Sequence, residues 1–135
     1  MKAIFSIMIF LIVIGISGCE NDNSTIILEN GTYEGTFTLG YADGQTFSNP
    51  VTISLDGNNY SSSAGPNRYP AGGNGTFELS GDLVEFSDVN IWTADFDWGL
   101  ILSGTYVITE TNTYIEFLKN QNLGEGFYRY RLKKK

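Results

Sequence analysis

The chain has 135 residues, 16 of them glycine, with one cysteine, no histidine, 15 acidic against 8 basic side chains and a formal net charge of −7. Without histidine, Ser-His-Asp and Cys-His triads and His-ligated zinc sites are excluded, and a single cysteine excludes an internal disulfide and any cysteine-cluster metal site. The length fits one domain, and a body this acidic does not bind nucleic acid by a general electrostatic mechanism.

Chain order begins with a leader. Lys2 gives a positive start, and Ile4 to Ile14 is apolar apart from Ser6, the charged-then-apolar plan of a secretory signal. An apolar run of about 11 residues is too short for a bilayer, which needs about 20. The run ends in Ile16-Ser17-Gly18-Cys19, which resembles the lipobox of bacterial lipoproteins. The resemblance implies that residues 1–18 are a cleaved signal peptide and that Cys19 becomes a lipidated N-terminus. Acyl chains there, palmitate among them, would anchor the protein to the membrane of the bacterial cell envelope. Several such chains hold firmly where one does not, because each buried methylene contributes about 0.8 kcal/mol. Glu20 rather than Asp follows the cysteine, which in the familiar sorting pattern points to the outer membrane. Residues 19–30 then read as the lipidated cysteine and a polar tether, and 31–135 as the folded domain.

From Gly31 onward the pattern is strand after strand. Tyr33, Phe37 and Leu39 alternate with Thr32, Glu34, Thr36 and Thr38, and Val51, Ile53 and Leu55 alternate with Thr52 and Ser54. Asp56-Gly57-Asn58-Asn59 is a turn signal before Tyr60. Phe77 and Leu79 lead through Ser80-Gly81-Asp82 into Leu83-Val84-Glu85-Phe86, the clearest hairpin in the sequence. Further strands are expected over 91–96, 100–109, 113–119 and 126–132. The glycine- and proline-bearing stretch 61–75 reads as a mobile loop at one barrel mouth. About eight short strands joined mainly by short turns predict an all-β, antiparallel up-and-down barrel, since closure removes exposed edges.

The opening Gly31-Thr32-Tyr33-Glu34-Gly35 is similar to the Gly-x-Trp start of lipocalin-like barrels, with Tyr in place of Trp. The resemblance implies a late arginine, Arg129 or Arg131, packed over Tyr33, and an interior that holds a small apolar ligand. Tyr33, Phe37, Phe77, Phe86 and Tyr106 are the candidates to line such a pocket or to close it; eight strands leave room for packed side chains or one small ligand. A ligand pocket requires an apolar cavity of about 300 Å³ or more, opening at 61–75. A filled interior favours instead a protein-interaction or inhibitor module.

Asp95-Phe96-Asp97-Trp98, following Trp92, is the densest local feature. Trp92, Phe96 and Trp98 are candidates for a partner surface, and equally for core or rim packing. Asp95 and Asp97, with Asp88 or Asn90, are oxygen ligands of the kind calcium takes, but six or more oxygens are wanted and no EF-hand loop is present. Fifteen acidic residues produce carboxylate pairs by chance, so no catalytic residue, resident metal or cofactor is assigned and no enzymatic activity is expected.

Charge is unevenly placed. Arg129, Arg131, Lys133, Lys134 and Lys135 all fall in the last seven positions, leaving Arg68 and Lys119 as the other basic residues beyond the leader. An up-and-down barrel with an even number of strands brings its first and last strands to the same end. Lys133, Lys134 and Lys135 are therefore expected beside the tether, either meeting anionic headgroups at about 1 kcal/mol per residue or lying as a solvated tail.

Overall fold

The structure, a computed structural model, describes residues 25–121 and 126–135. The leader, Cys19 and the first residues of the tether lie outside the described residues. Eight strands follow one another in chain order: β1 Gly31–Gly40, β2 Thr46–Asp56, β3 Asn59–Ser62, β4 Gly73–Ser80, β5 Leu83–Asp88, β6 Gly104–Glu110, β7 Ile115–Asn120 and β8 Phe127–Lys134. Each pairs antiparallel with its neighbours in sequence, and β8 returns to β1, closing the barrel. The expected up-and-down architecture is the one observed.

Strand alternation builds the core. Tyr33, Phe37 and Leu39 of β1, Val84 and Phe86 of β5, Tyr106 and Ile108 of β6, and Tyr128, Tyr130 and Leu132 of β8 are all buried, while the residues between them are mostly less so. Gly35 breaks the run of large residues on β1 because β8 crosses too close: a Cβ there would lie 1.9 Å from the Arg131 carbonyl oxygen. The first strand therefore hugs the last at mid-height.

Three strand expectations change, and the simplest is 100–109: the strand starts only at Gly104, with 100–103 part of the loop over the mouth. β2 runs back through Pro50 to Thr46, beyond the alternating Val51-to-Leu55 segment. The Thr52 N–H points toward the β3 side, where it meets Ser63 Oγ, and pleating gives Pro50 the same direction. β3 pairs only with Ile53 to Asp56, so no ladder donor is missed, and the proline blunts an otherwise open edge. Residues 91–96 form no strand. Their polar groups bond locally instead: Asp88 accepts from the Asn90 amide and from Trp92 Nε1, and Thr93 donates to Asp95. Such short side chains compete with a β ladder for backbone and side-chain donors.

The two ends of the barrel differ. At one, here the turn end, β2–β3, β4–β5 and β6–β7 are joined by tight turns at 57–58, 81–82 and 111–114. At the other, the loop end, lie the connections 41–45, 63–72 and 89–103. The stretch 61–75 is thus at a barrel mouth as expected, although it contains the end of β3, a 3-10 turn at Pro66–Arg68 and the start of β4.

Candidate functional site: the loop end

Both mouths are covered. At the turn end, buried Leu28 and the neighbouring Ile26 pack on the core, and the Tyr33 hydroxyl donates to the Glu29 carbonyl at 2.8 Å. At the loop end, the two long connections lie side by side over the opening. Ala71 N–H bonds the Leu100 carbonyl and Leu102 N–H bonds the Gly72 carbonyl, both at 2.9 Å, making a parallel bridge between Gly72 and Ile101. Pro70, Ala71, Leu100, Ile101 and Leu102 are buried beneath it, and the Tyr60 hydroxyl rises from the interior to bond the Leu102 carbonyl. These connections form a plug.

Below the plug the rings pack on one another. Phe86 meets Tyr60, Phe77, Tyr106 and Phe117 with centroids 4.8 to 6.1 Å apart, and Tyr130 meets Phe37 and Tyr106 at 4.9 and 5.8 Å. These spacings are those of well-packed aromatic pairs. All five candidate lining residues, Tyr33, Phe37, Phe77, Phe86 and Tyr106, belong to this one buried cluster. Burial pushes the Tyr106 and Tyr130 hydroxyls far above the usual tyrosine range; the two lie near each other, and among the described residues neither makes a well-formed hydrogen bond.

Neither late arginine covers Tyr33. Arg129 sits over Phe127 at 5.3 Å, and Arg131 sits over Tyr114 at 4.6 Å while donating twice to Glu116 Oε2. The cause is the pleat of β8: Tyr128, Tyr130 and Leu132 occupy the inner face, so the arginines between them are outside, whereas Tyr33 is inside. The cation that does enter the mouth is Lys119. Its ammonium lies 4.7 Å from the Tyr106 ring and 5.2 Å from the Tyr128 ring and donates to the Ser103 carbonyl at 2.9 Å. Burial pulls its pKa down, an effect the Asp97 carboxylate partly offsets.

The aspartates of the 88–97 segment build the loop. Asp88 gathers the Asn74 and Asn90 amides and Trp92 Nε1. Asp97 caps the short turn Trp98–Leu100 through Gly99 N–H at 2.8 Å and accepts the Tyr128 hydroxyl at 2.5 Å. Gly99 is needed there, since a Cβ would meet the Tyr128 ring at 2.2 Å. Asp95 faces Arg68 at 3.4 Å, and the Arg68 guanidinium lies 4.5 Å over the Phe96 ring. Asn67 and Arg68 hold φ of 53° and 61°, a left-handed pair that costs energy and is tolerated where neighbouring contacts fix it. Among the described residues no three of His, Cys, Asp and Glu converge as metal ligands.

Of the candidate partner surface, Trp92 and Phe96 are half-buried against each other at 5.8 Å, and Trp98 is 56% exposed with its Nε1 donating to the Thr93 carbonyl. Val89 and Ile91 of the same loop are 69% and 100% exposed and were not singled out by sequence reasoning. A second exposed group, also not anticipated, stands on the β1–β2 connection: Tyr41 edges Phe47 at 5.9 Å, and Phe47 stacks on Tyr69 at 5.8 Å. Its signal in the sequence is an Asp43-Gly44 turn with an aromatic on each shoulder.

At the turn end, Lys134 pairs with Glu29, and Lys135 pairs with Glu34 at 3.0 Å while its N–H bonds the Thr32 carbonyl. Lys133 lies opposite Glu34 in the β1–β8 register. The basic residues therefore lie against the first strand and the residues just before it, with two of the three engaged by carboxylates. No protein-family model matches the chain, and no curated protein or solved structure matches it.

Proposed function

We propose that this chain is a lipid-anchored lipoprotein of the bacterial outer membrane whose barrel is a rigid stand, presenting its loop end to a protein partner. The observation that carries this reading is the packed and covered interior among the described residues: buried rings lie in contact through the barrel and two loops lie across its mouth, where a carrier needs a cavity. The apolar side chains that remain exposed on the long loop, Val89, Ile91 and Trp98, supply the contact face. Anchoring rests on the lipobox-like Ile16-Ser17-Gly18-Cys19. The six peptide steps from Cys19 to Thr25 reach at most about 20 Å, which would keep the turn end near the headgroups and the loop end facing away.

The test is native mass spectrometry of the protein purified from its own membrane. A mass equal to chain plus acyl groups, with a co-purifying protein cross-linked through the 89–103 loop, is expected. A stoichiometric apolar molecule retained inside the barrel would overturn the partner reading in favour of a small-ligand carrier. Cys19→Ser is expected to move the protein from the membrane to the soluble fraction.

A further inference from the structure

Beside the plug, the β1–β2 connection frames an open cleft of about 520 Å³ lined by Tyr41, Ala42, Asp43, Gln45, Phe47 and Gln121. We infer that this cleft is a binding site for a neutral saccharide. It is an open, shallow surface cleft, so a ligand would lie against its walls rather than be enclosed by them. One wall is aromatic, with Tyr41 39% and Phe47 48% exposed, and the other offers the side-chain amides of Gln45 and Gln121. A pyranose has the matching division: an apolar C–H face that lies on an aromatic ring, whose face carries negative charge, and a rim of hydroxyls that both donate to and accept from amides.

The alternatives fit less well. No lysine or arginine lines the cleft among the described residues, and the protein is strongly acidic, so an anionic ligand has no counter-charge. A purely apolar ligand would cover the Gln45 amide without giving it a partner, whereas Gln121 already faces the Tyr128 hydroxyl. The carboxylate among the described lining residues, Asp43, accepts the Gln45 N–H at Oδ1 at 2.9 Å and so helps hold the turn.

The cleft is also held in shape before any ligand arrives. Tyr41 N–H bonds the Gln45 carbonyl at 2.9 Å, and Gly44 N–H bonds the Tyr41 carbonyl at 3.0 Å, closing the turn. Phe47 is backed by Tyr69, whose carbonyl accepts from Asn49 Nδ2 at 2.7 Å. Rigid walls reduce the ordering cost of binding, which matters most for a shallow site and a weakly bound ligand. The lining residues are distinct from Val89, Ile91 and Trp98 of the proposed contact face, and occupancy of the cleft does not depend on the lipid anchor.

The experiment is a nitrogen-15 NMR titration of the full-length protein in a sugar-free zwitterionic detergent. The probes are maltotriose, cellotriose and chitotriose, with trigalacturonate as the anionic comparison. At least one neutral trisaccharide is expected to shift the Tyr41 to Phe47 amides with saturable, roughly millimolar affinity, and trigalacturonate is expected to bind at least about tenfold more weakly. Phe47→Leu, which keeps apolar bulk and removes the ring, should weaken binding about tenfold or more, while Trp98→Ala leaves it unchanged. Unchanged strand amides in each variant report an intact barrel. The inference is overturned if no neutral trisaccharide shifts these amides at about 20 mM. It also fails if Phe47→Leu binds as the parent does, if trigalacturonate binds equally well, or if the partner protein cross-links within the cleft itself.

Discussion

Phe86 illustrates how much of this small barrel depends on single rings. It is almost fully buried and touches four other aromatics, so truncation removes contacts on several sides that rigid β strands cannot easily refill. Phe86→Ala is expected to lower unfolding free energy by about 3 to 5 kcal/mol, read as a shift in denaturant midpoint at constant slope. Tyr130 behaves in the opposite way. Its hydroxyl is buried beside that of Tyr106 and makes no well-formed hydrogen bond among the described residues, so Tyr130→Phe removes a polar atom that gains little from being inside. That variant should be as stable as the parent or up to about 1 kcal/mol more stable, and a clear loss in the same unfolding measurement would contradict the packing described.

Tyr128 and Asp97 carry the element scale, because their bond ties the long loop to the last strand. Tyr128→Phe keeps the ring and deletes the hydroxyl that Asp97 accepts. A hydrogen bond to a carboxylate contributes about 1.5 to 3 kcal/mol, and the loss should appear first as faster amide exchange at Gly99 to Ile101, before the strands open. The same loop marks the boundary of what sequence could reveal. Regular alternation identified the strand faces, because a period of two admits one assignment of inside and outside once a core exists. The order of pairing followed from short turns. Residues 91–96 carry β-forming side chains too, yet Asp88, Thr93 and Asp97 satisfy their own neighbourhood and divert the chain over the mouth. Local polar competition leaves no periodic trace. The Tyr41–Phe47–Tyr69 group was missed for a different reason, since it joins the β1–β2 hairpin end to the β3–β4 connection, a contact that no local pattern encodes. The expected arginine over Tyr33 failed by parity alone: both arginines fall on odd positions of β8, where the inner face takes the even ones.

At the scale of the whole molecule, the β1–β8 seam joins the two ends of the fold and is fastened by charge at the turn end. The Lys134 ammonium beside Glu29 holds that carboxyl below the usual carboxylate range, and Glu29 raises Lys134 in return. The folded carboxyl is depressed, so its contribution is complete above the ordinary glutamate pKa and fades as pH falls through the folded value. The folded ammonium is raised, so its contribution is complete below the ordinary lysine pKa and fades as pH rises past it. Protection of the Tyr33 and Lys134 amides, corrected for intrinsic exchange, should therefore be flat between about pH 5 and pH 10 and drop outside that window. Deleting Lys133, Lys134 and Lys135 should fray this end, and if these residues also meet anionic headgroups, it should weaken association of the lipidated protein with anionic liposomes. Unchanged association and orientation on liposomes would leave the lysines with the first role alone.

That seam has a kinetic meaning as well. Tyr33 pairs with Lys134, so the contact that completes the barrel spans nearly the whole described domain, and loop-closure entropy must be met before it forms. Until β8 is available, β1 and β7 are both open edges that can pair with any passing strand. Local hairpins such as β4–β5 can form early, but closure waits for the far end of the domain, so the last step of folding is also the one that removes both open edges.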